Sequence, residues 1–117
     1  MVTNINLSTL NGTSGFSLLG AELNDMFGYA VSSAGDVNGD GYSDVLIGAA
    51  YYDNVESDEG AVFIYHGSTA GINAIANTQI ESNQVSAYFG GSVATAGDVN
   101  RDGFSDIIVG AYGYDNG

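Results

Sequence analysis

The 117-residue chain has no cysteine, no proline and no lysine, and Arg101 is its one arginine. The absence of cysteine excludes disulfides, thiol nucleophiles and zinc–thiolate sites. Fourteen acidic residues are left almost unbalanced, so the formal net charge is −13. Because nucleic-acid phosphates and anionic membrane surfaces are bound through clustered Lys and Arg, we expect neither as a partner.

Long apolar runs are also missing. None approaches the ~20 residues of a membrane-spanning helix, so the sequence predicts no membrane insertion. No charged-then-apolar leader opens the chain, so we expect no signal peptide within it. His66 is the only histidine, which excludes a metal site built on two histidines of one chain.

The residues that are plentiful favour short strands joined by turns. Hydrophobic residues make up 44% of the chain, and it contains 18 glycines, eight tyrosines and five phenylalanines. Aromatic residues fit pleated strands and glycine suits tight turns. An internal repeat organises them: from Phe27 to Asn54, 17 of 28 positions are identical to the residue 62 positions later. The two stretches are therefore copies of one structural unit.

Each copy is predicted to form strands. The first contains two short, continuous apolar runs, Val45–Ala50 and Ala61–Tyr65, of the kind found in strands buried on both faces. A run of small and apolar residues, 27–34, precedes them, and the weaker alternation of Thr78–Glu81 suits an outer strand. Since no window shows a long apolar stripe at helical spacing, the sequence predicts an all-β fold.

The first full repeat unit begins at residue 27, and the second unit is only partly contained in the chain. Residues 27–88 hold one full unit, and residues 89–117 hold the inner part of a second. Residues 1–26 are predicted to supply outer strands of a neighbouring or shared unit. Within them, Val2–Thr3 and Phe16–Gly20 align with the third and fourth strands of the first copy, 62 positions later.

An acidic loop lies between the first two strands of each copy. Residues 36–44 place side-chain oxygens at positions 1, 3, 5 and 9, a glycine at position 6 for a sharp turn, and a backbone carbonyl at position 7. Residues 98–106 repeat the pattern. Calcium takes about six to eight oxygen ligands from flexible loops of this kind. The alternative is a turn held by Asx hydrogen bonds that binds nothing, but two complete copies favour the metal.

An EF-hand or dockerin-type loop fits only the first six positions. It needs an acidic residue at position 12, where this chain has Ile47 and Val109. It also needs a helix after the loop, where this chain has an apolar run typical of a strand. We therefore reject that class of loop.

The order of the motifs carries a resemblance. Phe-Gly, at 27–28 and again at 89–90, is followed by Ala-Gly-Asp-Val-Asn-x-Asp-Gly-x-Ser-Asp and by an apolar strand ending in Gly-Ala. This arrangement resembles the FG-GAP repeat of integrin α-subunit β-propellers and their bacterial relatives. The resemblance implies four-stranded antiparallel blades, about two per chain, with a calcium loop joining the first two strands of each blade.

The same resemblance implies a set of metal ligands and about two Ca²⁺ ions per chain. The ligands carried over by position are Asp36, Asn38, Asp40, Tyr42 (through its carbonyl) and Asp44 in the first loop, and Asp98, Asn100, Asp102, Phe104 (through its carbonyl) and Asp106 in the second.

Two blades cannot close a propeller ring, and a lone pair leaves apolar blade faces open. We therefore expect a homo-oligomer in which copies join head to tail into a closed ring.

Two classes of function follow. The first is a calcium-stabilised binding or adhesion scaffold, extracellular or at the cell surface, with a protein ligand and a structural role for the metal. The second is a lectin-type propeller that binds a glycan through tyrosines of the blade rim, Tyr51, Tyr52, Tyr112 and Tyr114. An engineered or minimal repeat unit that forms a ring without a ligand of its own is a further alternative. Carboxylates committed to a cation are poor proton shuttles, so we do not expect an enzyme.

Overall fold

The computed structural model describes residues 15–20 and 22–116, and its regular elements are all strands. In chain order they are β1 (Phe27–Gly35), β2 (Asp44–Ala49), β3 (Ala61–Tyr65), β4 (Gly67–Ser68), β5 (Gly71–Ile72), β6 (Thr78–Glu81), β7 (Phe89–Gly97) and β8 (Asp106–Ala111). Within these described ranges there is no helix that could span a membrane. The all-β prediction is confirmed.

The first copy of the repeat forms one four-stranded antiparallel sheet. Its order is β1-β2-β3-β6, which is the order of the four predicted strands along the chain. Between β3 and β6 the chain also forms a small hairpin, β4–β5, that the sequence did not predict. The Ser68 hydroxyl closes this hairpin by donating to the carbonyl of Gly71 at 3.0 Å. Two-residue strands carry no periodicity, so the hydrophobic pattern could not reveal them.

The second copy repeats the backbone of the first in detail. Strands β7 and β8 pair antiparallel, with Phe89 opposite Ala111, as Phe27 is opposite Ala49 in β1 and β2. The pairing register also shifts at corresponding points in both pairs, near the start and the end of the first strand. The internal repeat is therefore a repeat of structure as well as of sequence. We call the sheet β1-β2-β3-β6 blade 1 and the pair β7-β8 blade 2.

Blade 2 packs on one face of blade 1 and forms the core with it. Four buried residues of blade 1 lie at the centre: Ala34, Leu46, Val62 and Ile64. Against them pack Phe89, Val93, Ile107 and Val109 of blade 2. Glycines bring the backbones close, because a methyl group at Gly48 would overlap the carbonyl oxygen of Gly90. The burial of these apolar side chains between the sheets is the main source of stability.

Each outward face of the two blades leaves part of its apolar surface exposed. Ile108 of blade 2 is 61% exposed, although its counterpart in blade 1, Leu46, is fully buried. Conversely Val31 of blade 1 is 65% exposed, although its counterpart Val93 packs into the core. At each of these two positions, an exposed apolar side chain therefore has a counterpart that is covered in the other blade.

Residues 15–20 form no strand. The outer strand predicted at Phe16–Gly20 would pair with a strand of another blade, and the described residues include no such strand, so it stays a prediction. The segment crosses the hairpin and β1 instead, with the Phe16 ring over Gly71 and Gly20 against Phe27. Val2–Thr3 lie outside the described residues. The assignment of residues 1–26 to a neighbouring blade stays a prediction.

Candidate metal centre

The first acidic loop connects β1 to β2 and curls around the carboxylate of Asp36. The Oδ1 atom of Asp36 accepts hydrogen bonds from the backbone N–H of Gly39 at 2.7 Å and of Asp40 at 3.0 Å. Its Oδ2 atom accepts from Gly41 N–H at 2.8 Å. The two glycines have left-handed backbones, with φ of 76° and 89°, a conformation that glycine adopts without steric cost. The loop thus folds three N–H donors onto position 1.

Asn38 and Asp40 are drawn into the same turn. The amide of Asn38 donates to Asp40 Oδ2 at 3.0 Å, and its Oδ1 accepts from Asp40 N–H at 3.1 Å. Asp40 Oδ1 accepts from the N–H of Tyr42 at 2.9 Å. Positions 1, 3 and 5 of the predicted ligand set therefore lie together, with Tyr42 at position 7 immediately after them.

Asp44 at position 9 closes the loop and is itself buried, with 1% of its surface exposed. Its Oδ2 atom accepts from Val37 N–H at 2.9 Å, which joins the end of the loop to its beginning. Its Oδ1 atom accepts from Gly67 N–H at 2.9 Å, which ties β2 to the β4–β5 hairpin. The sequence predicted Asp44 as a ligand but not this second, structural contact.

The second loop repeats most of these internal hydrogen bonds, although none from Arg101 N–H corresponds to the one that Gly39 donates to Asp36. Asp98 accepts from the N–H groups of Asp102 at 3.0 Å and Gly103 at 2.9 Å, and Asp106 accepts from Val99 N–H at 2.8 Å. A hydrogen bond from the backbone N–H of Phe104, and then one from the Asn100 side chain, lowers the pKa of Asp102 below its ordinary value. Asp102 therefore stays ionised to lower pH than a free aspartate.

The donor set suits a hard cation, since each loop offers three carboxylates, one amide oxygen and one backbone carbonyl. The side chains of each loop converge less closely than their spacing in the sequence implied. Within residues 15–20 and 22–116, no three acidic, histidine or cysteine side chains converge closely enough to hold a metal ion by themselves. Instead the carboxylates are occupied by backbone N–H groups of their own loops. The residues fit the cation by chemistry, and amide and carbonyl oxygens would have to complete the shell.

The predicted tyrosines lie at the rim of the blades opposite the acidic loops, and they do not form a single cluster. The ring of Tyr51 packs between two others, with centroid distances of 6.1 Å to Tyr29 and 5.3 Å to Tyr88. The ring of Tyr112 stacks on Tyr88 at a centroid distance of 4.9 Å. Tyr52 belongs elsewhere, against Phe63, and accepts a hydrogen bond from the side chain of Gln79. Tyr114 is 56% exposed. We call Tyr29, Tyr51, Tyr88 and Tyr112 the tyrosine row; it crosses the junction of the two blades.

Two further acidic residues are buried, and the sequence did not predict a role for either. Glu59 is fully buried; its Oε1 atom accepts from Asn54 N–H at 3.0 Å, and its Oε2 atom has no hydrogen-bond partner in the part of the chain that the structure describes. Asp25 is 6% exposed, and burial raises the pKa of its carboxyl above the ordinary value, despite a hydrogen bond from the backbone of Asp53. Neither acid belongs to a spacing motif, so no local pattern could single them out.

Taken together, paired antiparallel blades that repeat at a fixed offset and carry a rim loop of oxygen donors define a β-propeller repeat protein. A family model for the FG-GAP repeat matches residues 27–65 and 89–117. The chain belongs to this family, and FG-GAP repeats are β-propeller blades.

Similar proteins are integrin α subunits. The chain is 42% identical over 108 residues to human integrin alpha-6, which covers 92% of this chain and 8% of that protein. It is 40% identical over 90 residues to integrin alpha pat-2 of Caenorhabditis briggsae, covering 74% of this chain and 7% of the relative. It is 36% identical over 102 residues to integrin alpha-V of Gallus gallus, covering 84% and 10%. The chain thus spans about a tenth or less of the length of these relatives.

Proposed function

We propose that this chain is a calcium-stabilised pair of FG-GAP blades that serves as a protein-binding scaffold in adhesion, outside the cell or at its surface, without enzymatic activity. The observation that carries the proposal is the duplication of the acidic loop. Both copies hold the full set of oxygen donors, and in both the fifth and sixth residues donate corresponding hydrogen bonds to the first aspartate. The similarity to integrin α subunits supports the adhesive role and the location.

The proposed role of the metal is structural. Each loop joins the two inner strands of its blade, so its shape sets their pairing. Three carboxylates in nine residues repel one another, and a bound divalent ion supplies the positive charge that offsets this repulsion. Asp36, Asn38, Asp40, Asp44 and the Tyr42 carbonyl would hold it in loop 1; Asp98, Asn100, Asp102, Asp106 and the Phe104 carbonyl would do so in loop 2.

Calcium titration calorimetry tests the proposal. We expect two ions per chain, one in the variant Asp40→Asn and none in the double variant with Asp102→Asn. Each site should stabilise the fold by about 2.7 kcal/mol when free calcium is about 100 times its Kd, so thermal unfolding should shift downward in excess EDTA. Glu56→Gln is the control, because it removes one negative charge outside the loops. No heat of binding, together with an unchanged melting temperature in EDTA, would refute the metal.

We also propose that separate copies of the chain associate head to tail through the open faces. The support comes from equivalence within the repeat. Val31 and Ile108 are exposed, whereas the residues 62 positions away from each, Val93 and Leu46, pack together in the core. An open blade 1 face is therefore complementary to an open blade 2 face. Such a contact is heterologous, and it forms a ring if the rotation per copy closes.

The tyrosine row gives a second candidate, glycan binding. Tyr112 is 65% exposed with Tyr88 stacked behind it, so one ring face is supported by the protein and its surroundings are open to a ligand. A glycan array with wild type and Tyr112→Ala tests it. A signal that the variant loses would favour the lectin-type function, and a blank array would leave the protein-binding scaffold.

A further inference from the structure

The two acidic loops touch each other across the blade junction. The backbone carbonyl of Asp36 accepts a hydrogen bond from Ser105 N–H at 2.8 Å. In the reverse direction, Asp36 N–H donates to the Ser105 hydroxyl at 3.1 Å. One serine of loop 2 therefore holds both peptide groups of the first residue of loop 1.

Glycines make room for this contact. A methyl group at Gly35 would overlap the Ser105 hydroxyl, and one at Gly39 would overlap the ring of Phe104. The corresponding positions of loop 2 do not need glycine for such a contact. No atom of the described residues lies within 4 Å of a methyl group placed at Gly97, and Arg101 replaces the glycine that Gly39 provides. The departure from the repeat at Arg101 therefore occurs in a loop on which no other loop of residues 15–20 and 22–116 is docked in this way.

The position of Ser105 in its own loop gives the contact its significance. Phe104 precedes it and Asp106 follows it, and both belong to the proposed ligand set of loop 2. Asp36 is the first ligand position of loop 1. Any ordering of residues 104–106 therefore fixes Ser105, and Ser105 fixes the backbone of Asp36.

From this geometry we infer that Ser105 is a positioning residue that couples the two loops, so that a divalent cation in one raises the affinity of the other. The inference rests on the proposed calcium binding. Coupling between binding sites is reciprocal, and a typical coupling changes affinity by about 5-fold to 150-fold. With two hydrogen bonds as the link, we expect an effect near the lower end, about five-fold.

Residue-resolved NMR titration with CaCl₂ can follow each loop separately. The N–H groups of Gly41 and Gly103 report on loops 1 and 2, because each donates to the first aspartate of its own loop. The midpoint is the calcium concentration at which half of the shift of an N–H signal is complete. Asp102→Asn, which weakens loop 2, should raise the midpoint of the Gly41 signal about five-fold. In a Ser105→Ala background the Gly41 midpoint should already be higher, and adding Asp102→Asn should move it little further.

Two variants control for indirect effects. Ser43→Ala changes the corresponding serine of loop 1, whose hydroxyl makes no hydrogen bond within the described residues, and it should leave the Gly103 midpoint unchanged. Ser105→Thr keeps the hydroxyl and should restore the wild-type Gly41 midpoint. Should Ser105→Ala fail to fold, Asp102→Asn in the wild-type background still measures the coupling.

The outcomes separate the two proposals. Suppose that wild type binds two ions and that neither Asp102→Asn nor Ser105→Ala changes the Gly41 midpoint. That result would overturn the coupling and leave calcium binding intact. Equal and additive shifts from the two substitutions would overturn it as well. If neither glycine shifts with calcium in the wild type, the proposed metal site fails, and the coupling fails with it.

Discussion

Arg101 occupies in the second loop the position that Gly39 holds in the first, and both have left-handed backbones, with φ of 60° and 76°. A residue with a Cβ atom pays about 1–2 kcal/mol for this conformation, whereas glycine does not. Glycine also loses more conformational entropy on folding, and this loss offsets part of the gain in stability. We therefore expect Arg101→Gly to raise the free energy of unfolding by about 1 kcal/mol.

Urea denaturation in EDTA and moderate salt measures this effect without the metal and with the lost positive charge screened. Gly39→Arg is the matched reverse change. It should destabilise the chain by more than Arg101→Gly stabilises it, because the new side chain meets the ring of Phe104. Equal stabilities of Arg101→Gly and wild type would show that the loop does not store this strain.

Asp25 gives a prediction on pH. Burial raises the pKa of its carboxyl in the folded state, with smaller opposing and reinforcing effects from Asp53 and Glu22. A raised pKa means that the folded state prefers the protonated form. The stabilising contribution is therefore complete below the unfolded pKa of about 3.9 and is lost as pH rises through the folded value.

The variant Asp25→Asn removes this penalty but keeps an oxygen for the hydrogen bond from Asp53. We expect it to be more stable than wild type at pH 7, with the difference disappearing as pH falls below about 4. Thermal unfolding between pH 3.5 and pH 7 measures the difference. An advantage that is independent of pH would mean that the charge of Asp25 is not its cause.

At this scale the sequence predicted the loops better than the buried acids. Asp36, Asn38 and Asp40 were identifiable because a ligand loop fixes their spacing locally, and the structure does bring them into one turn. That they bind calcium stays a prediction. The burial of Glu59 depends on how the chain folds around it, and no local pattern records that.

At the scale of elements, close contact between the blades depends on glycine in β2. A methyl group at Gly48 would overlap the backbone carbonyl of Gly90, which cannot move without shifting β7. Overpacking of this kind typically costs about 1–3 kcal/mol, and we expect that loss for Gly48→Ala. Gly110 is the matched control in β8, since a methyl group there meets mainly the hydroxyl of Ser92, which can rotate away.

Urea denaturation of both alanine variants compares these contacts. Gly110→Ala should cost less than about 1 kcal/mol. Equal losses would indicate that alanine weakens β2 and β8 as strands, and that the approach of the blades is not the reason. The register of β1 with β2 can be checked independently by the hydrogen exchange of their amide groups.

The four strands of blade 1 could be predicted because each carries an apolar run or an alternation, and because the second copy supports the inner two. One feature could not. The β4–β5 hairpin is too short to show a period, and it is held by Asp44 through Gly67, a contact between residues 23 positions apart. The strand at Phe16–Gly20 stays a prediction, because it would pair with a strand of another blade.

For the whole molecule, the two open faces decide whether copies assemble. Wild type in calcium should give a discrete multiple of 12.0 kDa by light scattering. Val31→Asp places a charge on the open face of blade 1, and Ile108→Asp does so on that of blade 2. Because burying an unpaired charge is costly, each variant alone should be a monomer.

Mixing the two variants makes the test specific for head-to-tail contact. Val31→Asp keeps an intact blade 2 face, and Ile108→Asp keeps an intact blade 1 face, so one copy of each can still pair. Both remaining faces of that pair carry a charge, and growth stops at the heterodimer. We expect a mass of two chains only in the mixture. An isologous contact through either face would instead let one of the single variants dimerise by itself, and a monomeric wild type would refute assembly through these faces.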